Sequence, residues 1–175
     1  MDGRRFDYNI ALIGFMGTGK STIAKHLQLL FGMEILEMDQ VIEEREQMKI
    51  SDIFSVKGEE YFRKLETELL LETQSKQNVI ISCGGGVVMK DENIETIRKN
   101  GKIVLLTARP DTIYNRVKRY MERPLLNGNM NVEYIEQLMK KRREKYENAA
   151  DIIVSTDEKT IDRVCEEIVK KLEVK

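Results

Sequence analysis

Eight consecutive residues carry the clearest chemistry in this chain. Gly14-Phe15-Met16-Gly17-Thr18-Gly19-Lys20-Ser21 satisfies the pattern G-x-x-x-x-G-K-[ST]. An apolar run precedes it, and a segment of helical period beginning at Lys20-Ser21-Thr22 follows. Glycines let backbone N–H groups curl around phosphate oxygens, and the helix N-terminus adds positive partial charge. Lys20 is placed to reach β- and γ-phosphates, and the Ser21 hydroxyl to ligate Mg²⁺. The motif points to a bound nucleotide and says nothing about what receives the phosphoryl group.

A second glycine cluster raises a different question. Ile80-Ile81-Ser82-Cys83-Gly84-Gly85-Gly86-Val87-Val88 is either a loose joint or a place where bare backbone approaches something closely. A joint is usually polar on both sides, whereas Ile80-Ile81 and Val87-Val88 anchor this stretch in a core. Asp39 reads either as a site carboxylate or as the N-cap of a helix over Gln40–Glu46. Arg63, and Arg142 within Lys140-Lys141-Arg142-Arg143, read by default as parts of solvated helix faces. Arg123-Pro124-Leu125-Leu126 is odder, because a proline and two leucines flank an arginine in a polar stretch. That combination suggests a lid that closes on the nucleotide.

These residues need a scaffold. Short apolar runs predict strands at Tyr8–Ile13, Glu34–Glu37, Val79–Ser82, Lys102–Thr107 and Ile152–Ser155. Between them, apolar spacing predicts helices after Lys20, at Glu59–Lys76, around Ile94 and Ile97, and at Asp111–Tyr120, Val132–Asn148 and Glu158–Leu172. Only Met121–Asn131 looks irregular. Strand–helix alternation implies a parallel sheet covered on both faces. Ligands in such folds gather at the carboxyl ends of the strands. There the phosphate loop, Glu37 with Asp39, and the triple glycine converge.

The 175 residues fit one domain. A net charge of −1 offers no global field for nucleic acid or an acidic membrane surface. No apolar run approaches the ~20 residues of a membrane span. Arg4-Arg5 ahead of Ile10–Ile13 resembles a signal peptide faintly, but the run is short and a buried strand explains it better. Cys83 and Cys165 are far apart and His26 is the sole histidine, so a metal cage or disulfide framework is not expected. The expectation is a cytoplasmic protein with reduced thiols, and amphipathic helices favour a monomer.

Taken together, the chain resembles the shikimate kinases nearly end to end, from Asn9 to about Val169. The resemblance rests on GFMGTGKST, Asp39, ISDIFSVKGEEYFRKLE, CGGGVV, RPLL, and Arg142 four residues before Tyr146. The phosphate loop is widely shared, whereas the DIF…GE..FR..E phrase with GGG and RPLL separates this chain from gluconate and nucleoside monophosphate kinases. The resemblance implies an α/β three-layer sandwich on a five-stranded parallel sheet, like the nucleoside monophosphate kinases. Residues 38–66 would form the substrate-binding helical part and residues 116–131 a mobile lid.

It also implies ATP-dependent phosphorylation of the 3-hydroxyl of shikimate, in aromatic amino acid biosynthesis, with Mg²⁺. On this reading Lys20 and Arg123 act on the transferring phosphoryl. Asp39 holds the reacting hydroxyl, as orienting group or as base. Arg63 and Arg142 clamp the carboxylate, and Gly84, Gly85 and Gly86 offer backbone N–H groups. ATP is held by Gly14, Gly17, Thr18, Gly19, Lys20, Ser21 and Thr22, with Arg116 near the adenine and Arg123 in the lid. Ser21 ligates the metal directly and Glu37 reaches it through water. Two positions depart from the family's usual residues: Glu37 stands in place of aspartate, and Glu144 in place of proline. A kinase for another small hydroxylated acid or a nucleotide, and a non-catalytic relative, are the alternative readings.

Overall fold

The computed structural model describes residues 6–119 and 131–173. Strand β1 (Asn9–Ile13) is buried along its whole length, so it lies inside the sheet. Beside it run β3 (Val79–Ser82) on one side and β4 (Gly101–Thr107) on the other. Strand β2 (Glu34–Glu37) pairs outside β3, and β5 (Ile152–Ser155) outside β4. All pairings are parallel and the order is β2-β3-β1-β4-β5.

The period-two geometry of β1 sorts its side chains between two cores. Ile10 and Leu12 join Ile80, Val104 and Val154 beneath α1 (Lys20–Phe31) and α8 (Ile161–Glu173). Ala11 and Ile13 join Ile81, Ile103 and Leu105 on the opposite face. The remaining helices cover that face or the strand ends: α2 (Met38–Glu46), α3 (Ile50–Lys57), α4 (Glu59–Thr73), α5 (Asp91–Arg98), α6 (Pro110–Val117) and α7 (Val132–Ala149). The three layers anticipated from the alternation are present. No helix among the described residues is long and apolar enough to cross a membrane.

Most boundaries fall within a few residues of expectation, and the departures have local causes. Helix α4 stops at Thr73 rather than Lys76, because the side chains of Asn9 and Asn100 take the carbonyls of Thr73 and Lys76. Helix α8 begins at Ile161 because Glu158 adopts φ 55°. Helix α6 ends at Val117, short of Tyr120. Helix α3 lies within the helical part that the resemblance implies over residues 38–66, but apolar spacing does not mark it separately; it is eight residues long and is capped by Gly58. Asp39 is not an N-cap: α2 begins at Met38, Glu37 is its N-cap, and Asp39 lies in the first turn. Arg123 and the RPLL stretch lie outside the described residues, as does most of the segment expected to form a lid.

Candidate active site

The phosphate loop joins β1 to α1. Gly19 caps that helix with φ 98°, a left-handed conformation that glycine adopts without strain. Helix α1 has no side-chain cap and no acidic residue in its first turn, so its N-terminal N–H groups are left for an anion. Gly14 is glycine for another reason: a Cβ there would stand 2.5 Å from the Leu106 carbonyl oxygen of β4. Thr18 is buried and donates to the Phe15 carbonyl at 2.8 Å, which holds the loop's curl. Lys20 folds over the loop and donates to the carbonyls of Gly14 (2.8 Å) and Phe15 (3.1 Å).

A cavity of about 410 Å³ opens beside this loop. Gly17, Gly19, Lys20, Ser21 and Thr22 line one wall, and Asp39, Arg63, Glu66, Gly84, Gly85, Gly86 and Arg142 stand on the other sides, with Ile50, Phe54 and Phe62 among the apolar lining. Four separate elements therefore bring together the acceptor-side residues picked out in the sequence. Asp39 comes from α2, Arg63 from α4, the glycines from the turn after β3, and Arg142 from α7.

Arg63 corrects the default reading of a solvated face, since only 9% of it is exposed. Its guanidinium donates to Glu66 at 2.7 Å and to Glu59 at 3.1 Å, and lies near the Phe54 and Phe62 rings. Burial works against its charge, but Glu66 and Glu59 outweigh it and raise the pKa. Glu66 is fully buried and its Oε1 has no hydrogen-bond partner. Burial pushes its carboxyl up, the Arg63 charge opposes that, and Asp39 adds to the rise. This carboxylate was not singled out in the sequence. The available signal was spacing: Arg63, Glu66 and Leu70 fall on one buried helical stripe with Thr73.

The glycines are tailored to these neighbours. A Cβ on Gly84 would stand 2.5 Å from Glu66 Oε1 and 3.0 Å from Asp39 Oδ1. One on Gly86 would overlap the Arg63 guanidinium, whereas one on Gly85 meets nothing closer than 3.7 Å. Arg142 shares the inward stripe of α7 with Ile135, Tyr146 and Ala149, and donates to the Gly85 carbonyl at 3.2 Å. Glu144 is accommodated without a break, since α7 runs on to Ala149. Cys83 is buried beside the glycines, and burial pushes its thiol far above the ordinary range, which keeps it inert.

A second hollow of about 240 Å³ lies on the other side of the phosphate loop, lined by Thr18, Gly19, Thr22, Arg116 and Thr156. Arg116 is held there by the Gly17 carbonyl and the Thr156 hydroxyl, each at 3.0 Å. Thr22 faces both hollows, so one elongated ligand could run along the loop from one to the other.

The residues fit a nucleotide-bound divalent cation. Ser21 Oγ donates to Glu37 Oε2 at 3.0 Å, while Glu37 Oε1 is buried with no hydrogen-bond partner. Among the described residues no cluster of three acidic, histidine or cysteine ligands could cage a metal. Mg²⁺ at a phosphate site needs only one or two protein ligands besides phosphate and water.

Comparisons with known proteins agree with this geometry. The sequence model of shikimate kinase matches residues 16–173. A shikimate kinase of Dehalococcoides mccartyi is 44% identical over 160 residues, covering 91% of this chain and 90% of its own. One from Thermodesulfovibrio yellowstonii is 41% identical over 165 residues, covering 94% and 95%. The solved shikimate kinase of Acinetobacter baumannii in complex with shikimate superposes with a TM-score of 0.91 at 30% identity, covering 98% and 97%. A gluconokinase of Sinorhizobium meliloti, at TM-score 0.61 and 16% identity over 97% and 93%, shares the fold alone. With phosphate loop, arginine pair and glycine turn all in place, the chain belongs to the shikimate kinase family.

Proposed function

We propose that this protein transfers the γ-phosphoryl of ATP to the 3-hydroxyl of shikimate. The observation that carries this reading is one cavity shared by Lys20 and Ser21 on the phosphate side and Asp39, Arg63 and Arg142 on the acceptor side. A small acceptor there would lie against the end of a bound triphosphate, which direct in-line transfer requires.

The residues divide the work. The backbone of Gly14, Gly17, Thr18 and Gly19, with Thr22, holds the phosphates at the N-terminus of α1, and Arg116 borders the adenine. Lys20 leaves its two loop carbonyls for the β- and γ-phosphates. Ser21, with Glu37 through water, would hold Mg²⁺, which supplies charge neutralisation on the phosphates. Asp39 orients the hydroxyl and is placed to accept its proton. Arg63 and Arg142 take the carboxylate, planar forks against a planar anion, with Gly84, Gly85 and Gly86 offering N–H groups nearby. Arg123 would neutralise charge on the transferring phosphoryl from residues 116–131, closing as a lid.

We read the chain as a single kinase domain whose residues 38–66 form the acceptor-binding part, working as a cytoplasmic monomer. An ADP-release assay over a panel of acceptors tests the function. Shikimate should be used far better than gluconate, other hydroxylated acids or nucleoside monophosphates. Equal or better turnover of one of those would overturn the assignment.

A further inference from the structure

The glycine turn after β3 is held by its carbonyls. Gly84 O accepts from the Val87 N–H and Gly86 O from the Met89 N–H, both at 3.1 Å. The Gly85 carbonyl instead faces α7, where two side chains four residues apart donate to it. These are Tyr146 through its hydroxyl and Arg142 through Nη1 at 3.2 Å. The Tyr146 side chain is buried, with 6% of the residue exposed, and packs in the core that includes Val87 and Ala149. Its phenol is pushed up by burial, with the nearby arginines opposing, so it stays a protonated donor.

Two consequences follow from elementary geometry. A trans planar peptide sets the C=O of one residue antiparallel to the next N–H. Fixing the Gly85 carbonyl toward α7 therefore fixes the Gly86 N–H on the opposite side. The second consequence concerns Arg142, which must turn toward an incoming carboxylate. A part-buried carbonyl abandoned by its only donor is costly, but here the Tyr146 hydroxyl keeps it satisfied.

We propose that Tyr146 is a positioning residue for the acceptor: its hydroxyl holds the Gly85 peptide in place and so releases Arg142 to bind the carboxylate. It touches neither substrate directly. This rests on the reading that Arg142 and the glycine turn receive the acceptor's carboxylate.

The test is Tyr146→Phe in the full chain, which keeps the ring and removes only the donor. Shikimate affinity by calorimetry and kcat and KM for both substrates are measured beside the melting temperature. The proposal expects shikimate Kd and KM to rise by about 10-fold, the scale of one stranded, part-buried carbonyl. ATP KM and melting temperature should hold. In an Arg142→Ala background, adding Tyr146→Phe should cost less shikimate affinity than it does alone, because the part of its effect that runs through releasing Arg142 is gone while its hold on the Gly85 peptide remains.

Unchanged shikimate affinity in the single variant would overturn the proposal. So would equal losses for both substrates with a lower melting temperature, or an undiminished loss in the Arg142→Ala background. The wild-type chain offers a check that needs no variant: a slowly exchanging Tyr146 hydroxyl proton should persist by NMR when shikimate is added, and its loss on addition would contradict the proposal. Failure of the functional reading looks different, since the wild-type protein itself would then neither bind nor phosphorylate shikimate.

Discussion

Gly85→Ala separates a glycine kept for a ligand from one kept for the fold. An added Cβ at Gly85 would lie 3.7 Å from the Gly14 carbonyl oxygen and 3.8 Å from both Arg142 Nη1 and Met16 N, which is ordinary van der Waals contact. Its φ lies outside the left-handed region, so alanine fits the backbone. Gly→Ala at a compatible site stabilises by about 0.4–1 kcal/mol through the unfolded chain. For a domain of this size that leaves the melting temperature unchanged or raises it by about 1–4 °C. The methyl would stand between the phosphate loop and Arg142, where the proposed function has acceptor and γ-phosphate meet. Overfilling a tight site costs about 1–3 kcal/mol, so shikimate affinity should fall by about 5- to 150-fold. Thermal unfolding and shikimate calorimetry on one preparation read both quantities. A variant that melts several degrees lower and binds shikimate normally would refute the reasoning. Gly86→Ala, whose Cβ would overlap the Arg63 guanidinium, should instead lose stability and binding together.

Other outcomes follow from the same site. Arg63→Ala should raise the KM for shikimate by about 10- to 150-fold, the scale of a charged hydrogen bond, with ATP KM nearly unchanged. It also strands the fully buried Glu66, so the variant should melt lower, and adding Glu66→Gln should recover stability without recovering shikimate affinity. Asp39→Asn should reduce kcat far more than shikimate affinity; turnover near wild type would leave Asp39 only a structural role. Glu37→Gln should raise the Mg²⁺ concentration needed for half-maximal rate, and an unchanged Mg²⁺ dependence would count against Glu37 facing the metal. Cys83 and Cys165 are free and buried, so a thiol reagent should label neither until the protein unfolds, as mass spectrometry would reveal.

How much of this was legible in the sequence depended on how local the signal was. The phosphate loop carries its own strand, turn and helix start, so its place could be read directly. Strands β2, β3 and β5 fell at their expected residues because their apolar runs are short and bounded. Asp39 reads from the sequence as a site carboxylate or a helix cap at the right strand end, and the two stay open there because a helix start one residue earlier leaves no mark in composition. By charge pattern Arg63 and Arg142 read as solvated charges, because charge pattern alone does not reveal burial; the resemblance is what marks them as site residues. Their helical register with Leu70, Tyr146 and Ala149 did hold that information. Glu66 carried the same kind of signal, one turn along α4 from Arg63, whereas the Tyr146–Gly85 contact was beyond reach, since it depends on two elements far apart in the chain meeting at one carbonyl.

The most direct test of the central claim is phosphorus NMR of the wild-type chain with Mg²⁺, ATP and shikimate. Transfer as described predicts ADP formed one for one with shikimate 3-phosphate, and little ADP when shikimate is left out. Binding of both substrates without ADP, or phosphate appearing on a different hydroxyl, would contradict it.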